Sequence, residues 1–168
     1  MKKVMIYFGS STGTTEDVAN RIAKELNVDD NHVKNVTDIN NADIDDAEVL
    51  LLGSSTWGDG ELQDDWYDGI KTLKSANLQN KIIALFGCGD SQSYPDTFCG
   101  AIGELYNELK DSGAHFIGTV PTEGYDYSDS GSVVNGNFVG LALDETNEDD
   151  KTDARIAKWI DEIKSSIE

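Results

Sequence analysis

The chain has 168 residues, of which 38% are hydrophobic, and 32 acidic against 13 basic side chains give a formal net charge of −19. This length suits a single domain over residues 1–168, and the acidity excludes nucleic acid and anionic membranes as ligands, because phosphate binding needs cations. An acidic protein is steered toward basic protein surfaces, although acidity that only maintains solubility is an equal alternative.

The chain termini and cysteines favour a cytoplasmic protein. Met1-Lys2-Lys3 is followed by an apolar run of only five residues, too short for a signal peptide, and no apolar stretch reaches transmembrane length. Cys88 and Cys99 do not make a disulfide framework, which favours a reducing compartment. The two histidines have no clustered ligand partners, so no metal site is expected.

Along the chain, apolar runs typical of buried strands alternate with apolar residues at helical spacing. The strand runs cover residues 4–8, 49–52 and 82–86, with weaker strands expected near 32–36 and 115–119. The helical patterns cover residues 18–26, 66–73, 98–109 and 156–167. This alternation predicts an α/β fold with a doubly wound five-stranded parallel sheet and helices on both of its faces.

Residues 120–138 interrupt this alternation with Gly-, Ser- and Asp-rich turns. Within them, Asn135-Gly136 between apolar residues predicts a hairpin, and residues 140–143 read as strand again. We interpret the segment as a surface insertion of about twenty residues in the fifth strand. Loops of that length in a compact domain are usually functional or interaction elements.

The first strand is followed by Gly9-Ser10-Ser11-Thr12-Gly13-Thr14-Thr15-Glu16, rich in hydroxyls and free of Lys and Arg. Hydroxyls and backbone N–H groups at a helix N-terminus form a phosphate site. The chain lacks Gly-Lys-Ser/Thr and Gly-x-Gly-x-x-Gly, which excludes a triphosphatase loop and a dinucleotide fingerprint. The loop therefore suits a single phosphate, unless Thr14 merely caps the helix with Asp17 completing a capping box.

Two further loops carry isolated aromatic residues. Trp57 stands in the acidic, glycine-rich turn of residues 54–61, and Tyr94 stands in the loop of residues 87–96. Trp57 suits stacking against a flat ligand, or it packs back on the next helix near Trp66. Because ligands of a doubly wound sheet lie beyond the carboxyl ends of the strands, the three loops should meet at one edge. A neutral phosphate site and two aromatics favour a phosphorylated planar heterocycle, and FMN fits best.

These segments resemble those of the long-chain flavodoxins over essentially the whole chain. The matching motifs are residues 10–15, 56–62, 86–90 with Tyr94, 121–125 and 137–144, and the 120–138 insertion matches the one that distinguishes long-chain members. The resemblance implies strand order 2-1-3-4-5, the order known for flavodoxins. It also implies a non-covalently bound FMN.

The resemblance assigns roles to the loop residues. Phosphate binding falls to the side chains of Ser10, Thr12 and Thr15 and the backbone N–H groups from Ser11 to Thr15, those of Gly13 and Thr14 included. Trp57 and Tyr94 are implied to sandwich the flavin ring, Thr56 to lie near the ribityl chain and Asp90 to accept from ring N3–H. Backbone around Gly58, Asp59, Gly60, Cys88 and Gly89 is implied to meet the ring edge. Cys99 is either a flavin contact or, more in keeping with a weakly polar thiol, a free core residue.

The implied function is that of a low-potential one-electron carrier, not an enzyme, since the flavin supplies the chemistry and the protein sets its potentials. The implied partners are basic surfaces of reductase donors and oxidoreductase acceptors, with the carrier a monomer. An FMN-dependent reductase using NAD(P)H directly is an alternative that aromatic residues on both flavin faces disfavour. A signalling receiver domain is disfavoured because the first strand ends in Tyr7-Phe8-Gly9 instead of paired acids.

Overall fold

Five helices and ten strands alternate along residues 1–168, all of which the computed structural model describes. In chain order the elements are β1 (Val4–Gly9), α1 (Thr14–Leu26), β2 (Val33–Asn35), α2 (Asn41–Asp46), β3 (Val49–Trp57), β4 (Glu61–Leu62), α3 (Trp66–Ser75), β5 (Ile82–Cys88), α4 (Gly100–Leu109), β6 (His115–Ile117), β7 (Val120–Pro121), β8 (Val133–Val134), β9 (Asn137–Phe138), β10 (Leu141–Leu143) and α5 (Asp149–Ile167). Short 3-10 turns flank β2 on both sides.

The central sheet is parallel and runs β2-β1-β3-β5, with β6 and β10 completing the far edge. The strand β6 pairs with the first half of β5, from Ile82 to Ala84, and β10 pairs with the second half, from Phe86 to Cys88. The two therefore form one interrupted fifth strand. The predicted order 2-1-3-4-5 and the predicted interruption are both confirmed, and β4 adds only a two-residue antiparallel hairpin to the end of β3.

The hydrophobic core lies in two layers, one on each face of the sheet, because successive strand side chains point to opposite faces. On one face Tyr7, Leu50 and Leu85 pack with residues of α3 and α4, including Trp66 and Ile102. On the other face Ile6, Leu51 and Phe86 pack with α1 and α5, including Ile22 and Trp159. None of the five helices combines the length and the apolar character that a membrane span requires.

Two elements differ from the sequence expectation. The six-residue helix α2 was not predicted, because Ile44 is its single buried residue and leaves no apolar periodicity to detect. Its first turn is closed instead by the Asn40 side chain, which accepts a hydrogen bond from the Asp43 N–H at 2.9 Å. The helix expected from residue 98 begins at Gly100, because Cys99 has a left-handed backbone with φ of +51° and cannot continue a helix.

The insertion forms a small antiparallel sheet of its own, in the order β7-β9-β8. Asn135 and Gly136 join β8 to β9 with φ values of +53° and +82°, the left-handed pair that a tight hairpin turn requires, so the predicted hairpin is confirmed. Beneath it, Phe98 lies within 6.2 Å of the ring centroids of Tyr125, Tyr127 and Phe138. The insertion is therefore anchored by aromatic packing on the segment that precedes α4.

Hydrogen bonds reinforce this anchoring. The buried Ser132 hydroxyl donates to the Cys99 carbonyl at 2.6 Å and accepts from the Gly103 N–H at 2.7 Å. Ser130 donates in the same way to the Phe98 carbonyl. Gly103 itself touches the insertion backbone, since a Cβ at this position would lie 2.3 Å from the Gly131 carbonyl oxygen. The insertion thus holds the start of α4, where the loop after β5 ends.

Candidate functional site

The carboxyl ends of β1, β3 and β5 place three loops side by side at one edge of the sheet. Gly9 pairs with Ser54, and Ser54 pairs with Gly87, so the three loops start from adjacent positions. The first loop covers residues 9–14, the second 57–61 and the third 89–99. The sequence-predicted site residues therefore lie on neighbouring segments.

The first loop ends in a helix start that carries no side-chain cap. Gly13 is the N-cap residue of α1, with φ of +91°, and no side chain accepts from the first-turn N–H groups. Thr14 lies inside the helix, so the alternative of a Thr14 cap with an Asp17 capping box is wrong. The Ser10 hydroxyl accepts from the Gly13 N–H at 3.0 Å and folds the loop over the helix end. Uncapped N–H groups and the helix dipole together suit an anion at this position.

Thr15 places a buried, unsatisfied hydroxyl in the first turn of α1, beside the free N–H groups. Its side chain is fully buried and its hydroxyl has no hydrogen-bond partner. The Cys88 thiol lies against it, but a thiol is a weak partner. A buried hydroxyl without a partner is costly and rare in folded proteins. A phosphate oxygen at the end of α1 would satisfy it, so the residues present fit a phosphorylated ligand.

The start of α3 gives the first loop its shape. A Cβ at Gly9 would lie 2.5 Å from the Trp66 ring, so only glycine lets the chain turn here. The Trp66 indole donates to the Gly53 carbonyl at 2.8 Å, which fixes the ring beneath the loop. The nearly buried Gln63 donates to the Ser11 hydroxyl at 3.1 Å and so ties the first loop to the segment after β4. Gln63 was not singled out from the sequence, because nothing in its spacing indicates this contact.

The second loop presents Trp57 at the surface. Its side chain is 45% exposed, and its indole N–H donates to the Ser55 hydroxyl at 2.8 Å. The alternative in which Trp57 packs back near Trp66 is not observed, because the Trp57 side chain stays at the surface and the two rings form no aromatic pair. Gly58 and Gly60 flank Asp59 with φ of +51° and +88°, closing the turn between β3 and β4. The Thr56 hydroxyl accepts from the Ala101 N–H at 3.3 Å, which links this loop to α4.

The third loop presents Tyr94, which is 57% exposed. The loop is folded around Asp90, whose carboxylate accepts from the Ser93 N–H at 2.9 Å and from the Gln92 N–H at 3.2 Å. Burial raises the pKa of Asp90, but the hydrogen bonds from Ser93, Asn147 and Gln92 outweigh it and hold the pKa below its ordinary value. Asp90 is therefore an ionised acceptor, and several of its lone pairs are already engaged by its own loop.

The two cysteines are free thiols in the core. Burial raises the pKa of Cys88 to about 12 and that of Cys99 well above its ordinary value. The Cys99 thiol is fully buried and donates to the Leu143 carbonyl at 3.5 Å. Cys99 is thus a free core thiol, while its contact with the flavin stays a prediction. A Cβ at Gly89 would lie 2.8 Å from the Cys99 backbone nitrogen, 3.0 Å from its thiol and 3.2 Å from the Phe98 ring, so only glycine fits here.

The site is surrounded by acids. No Lys or Arg occurs between Lys34 and Lys71, while that interval contains Asp59, Glu61, Asp64, Asp65 and Asp68. The effect is visible at Tyr67, which is exposed on α3. Its pKa is raised, most by slight burial and further by the nearby negative charges of Glu61, Asp64 and Glu104. The surface beside the second loop therefore carries a local excess of negative charge.

The fold and the site together define a class of protein. It is a doubly wound α/β domain with a loop of neutral hydrogen-bond donors at the start of α1 and two exposed aromatic side chains at its topological switch point. Such a site has the donors and the stacking surfaces that a phosphorylated heterocycle needs.

Comparison with known proteins identifies the family. The family model for flavodoxin matches residues 6–159. The flavodoxin of Buchnera aphidicola subsp. Acyrthosiphon pisum is 43% identical over 164 residues, which cover 97% of this chain and 96% of that protein. A Nostoc flavodoxin is 40% identical over 166 residues, covering 99% of this chain and 98% of the relative. The crystal structure of Fusobacterium nucleatum flavodoxin bound to flavin mononucleotide has a TM-score of 0.92 at 33% identity and covers 100% of both chains.

This chain belongs to the flavodoxin family. The resemblance carried by the loop motifs is confirmed at that level.

Proposed function

We propose that the chain binds one FMN non-covalently at the three-loop edge and carries electrons between redox proteins, without catalysing a reaction on a substrate of its own. The observation that carries the proposal is the buried, unpartnered Thr15 hydroxyl beside the uncapped start of α1. The FMN bound to the Fusobacterium nucleatum relative supports it. Family membership supports the electron-transfer role.

The residues that would hold the cofactor come from all three loops. The phosphate would be held by the side chains of Ser10, Thr12 and Thr15 and the N–H groups of Ser11, Gly13, Thr14 and Thr15. The ring would be covered by Trp57 and Tyr94 and edged by Gly58, Asp59, Gly60, Gly89 and Asp90, with Cys88 contributing backbone only. When bound, the flavin supplies the redox chemistry, accepting and releasing single electrons. The chain binds it, limits access of water to its faces and sets its potentials by charge.

The test is a titration of FMN into the purified apoprotein, followed by stepwise reduction under an inert atmosphere. We expect saturation at one FMN per chain and a distinct one-electron-reduced absorption spectrum before full bleaching. Rapid bleaching by NADH alone would instead support a reductase. A colourless protein that binds no FMN would overturn the proposal.

The acids beside the second loop are expected to lower the potential of the second electron, because full reduction places a negative charge on the flavin. A unit charge about 10 Å away contributes on the order of 1 kcal/mol at intermediate dielectric, less when solvent screens it. The triple variant Asp59→Asn, Glu61→Gln, Asp64→Asn should therefore raise the second midpoint potential by tens of millivolts, as measured by redox titration. Neutralising three distant acids, Glu25, Asp30 and Asp111, should shift it much less. An equal shift in both variants would refute a local field.

Gly58 is expected to affect the first electron. We infer that the Gly58-Asp59 peptide reorients on reduction to accept a hydrogen bond from flavin N5–H. Gly58 has φ of +51°, and a Cβ there would lie 3.3 Å from the Glu61 carboxylate, so a β-branched residue would resist that movement. Gly58→Val should lower the first midpoint potential in the same titration. A first potential identical to that of the unmodified protein would count against the peptide movement.

The acidic residues beside the second loop, Asp59, Glu61 and Asp64 among them, would bind basic surfaces around the cofactors of reductases and oxidoreductases. Association driven by such charges is fast at low ionic strength and weakens as salt screens it. Binding to a basic redox partner that survives molar salt unchanged would refute this mode of docking.

A further inference from the structure

Asp144, which directly follows β10, carries a fully buried carboxylate whose hydrogen-bond donors are all neutral. It accepts from the Ser91 N–H at 3.1 Å and from the Ser91 hydroxyl. It also accepts from the Asn147 N–H at 2.9 Å and from the Asn147 side-chain amide at 3.1 and 3.2 Å. A buried charge is tolerated only when its lone pairs are satisfied, so this geometry is tightly determined.

The Asn147 amide also reaches the flavin-site loop. Its Nδ2 donates to Asp90 Oδ1 at 2.7 Å, so Asp90 and Asp144 share one amide group. Asn147 would need only its own backbone N–H to close the turn before α5. The bond to Asp90 joins residues 57 positions apart and does nothing for that turn.

These contacts converge on the segment from Asp90 to Tyr94. Asp90 accepts from the N–H groups of Gln92 and Ser93 with its side chain and from the Tyr94 N–H with its carbonyl at 2.9 Å. Ser91, in the middle of the segment, is fixed directly to Asp144. The conformation that presents Tyr94 is therefore held both by hydrogen bonds within the loop and by the connection between β10 and α5.

We propose that Asp144 and Asn147 are positioning residues that hold the Asp90–Tyr94 segment in its ligand-covering conformation before the ligand arrives. The identity of that ligand rests on the proposed function. A preformed loop avoids the free-energy cost of ordering the loop on binding. Asp144 and Asn147 therefore favour binding of the ring without contacting the ring themselves. The contribution of Asp144 and Asn147 passes through Asp90 and Tyr94 and is independent of the phosphate site.

One test needs no flavin. In the Asn147→Ala apoprotein, amide hydrogen exchange should become about fivefold faster at residues 91–94, since one hydrogen bond is worth roughly 1 kcal/mol, and should stay unchanged in the sheet. The neighbouring Thr146→Ala, at an exposed side chain, is the control and should change nothing. Unchanged exchange at residues 91–94, or acceleration spread over the whole chain, would overturn the proposal.

A second test separates positioning from general stability. Asn147→Ala should weaken binding of riboflavin, which lacks the phosphate, by about fivefold, and Asp144→Asn by about tenfold. In an Asp90→Ala, Tyr94→Ala background each loss should shrink to less than about twofold, because residues that act through one another are not additive. Full losses in that background would overturn the proposal. If the unmodified protein bound no flavin, the proposed function would fail. The hydrogen-exchange result would still decide whether Asp144 and Asn147 hold the loop.

Discussion

Thr15→Val is expected to weaken FMN binding by about ten- to a hundredfold while leaving the apoprotein at least as stable as before. The hydroxyl is fully buried without a partner, so its removal relieves a desolvation cost on the order of 1 kcal/mol. Valine has nearly the same shape. In the complex the same hydroxyl would donate to a phosphate oxygen, and a hydrogen bond to a charged group contributes about 1.5–3 kcal/mol.

This prediction is specific because FMN affinity should fall while the stability of the apoprotein should stay the same or rise. FMN affinity is measured by fluorescence titration and apoprotein stability by urea unfolding. Riboflavin affinity should not change, because riboflavin has no phosphate. Thr152→Val is a matched control, since Thr152 is also a fully buried threonine whose hydroxyl has no partner, but on α5. It should be neutral or stabilising and leave FMN binding unchanged. An FMN affinity within twofold of the original in Thr15→Val would remove Thr15 from the phosphate site.

Gly103→Ala is expected to lower the free energy of unfolding by roughly 2–3 kcal/mol. Within a helix, replacing glycine by alanine is ordinarily favourable by up to about 1 kcal/mol. Here the new methyl would lie 2.3 Å from the Gly131 carbonyl oxygen, and backbone atoms cannot yield as a flexible side chain can. Overpacking of this kind costs about 1–3 kcal/mol, and separation of the two segments would also strain the bonds of Ser132 to Cys99 and Gly103.

The partner glycine supplies the control for this contact. A Cβ at Gly131 would meet nothing within 4 Å, and its φ is not in the left-handed region. Gly131→Ala should therefore change the unfolding free energy by less than about 0.5 kcal/mol. Both variants are measured by urea denaturation of the apoprotein. Equal stabilities for the two would show that the insertion is not held against α4 by this close approach.

The sheet and its ligand edge could be predicted because the physical signals are local. Continuous apolar runs such as residues 49–52 are found in strands buried on both faces, and the alternation with helices fixes a parallel order. The insertion was recognisable for the same reason, since Asn135-Gly136 specifies its own turn whatever surrounds it. The loops could be placed at one edge because that follows from parallel topology and requires no knowledge of individual contacts.

What could not be predicted depends on geometry or on partners distant in sequence. Thr14 looks like a cap in the sequence, but the left-handed backbone of Gly13 moves the helix start by one residue and leaves the N–H groups free. That the Thr15 hydroxyl is buried without a hydrogen-bond partner depends on the packing around it, which the sequence does not reveal. Asp144 reaches Ser91, and Asn147 reaches Asp90, only because β10 lies beside β5, and no spacing in the chain indicates these contacts.

The two outer edges of the sheet share one property. At one end β2 has three residues, includes Lys34 and is closed by 3-10 turns on either side; at the other, the fifth strand is divided into two pieces of three residues. Long, unpaired strands invite another molecule to add its own backbone, and short or charged edges prevent it. The interruption of the last strand therefore leaves a second molecule little continuous backbone with which to extend the sheet.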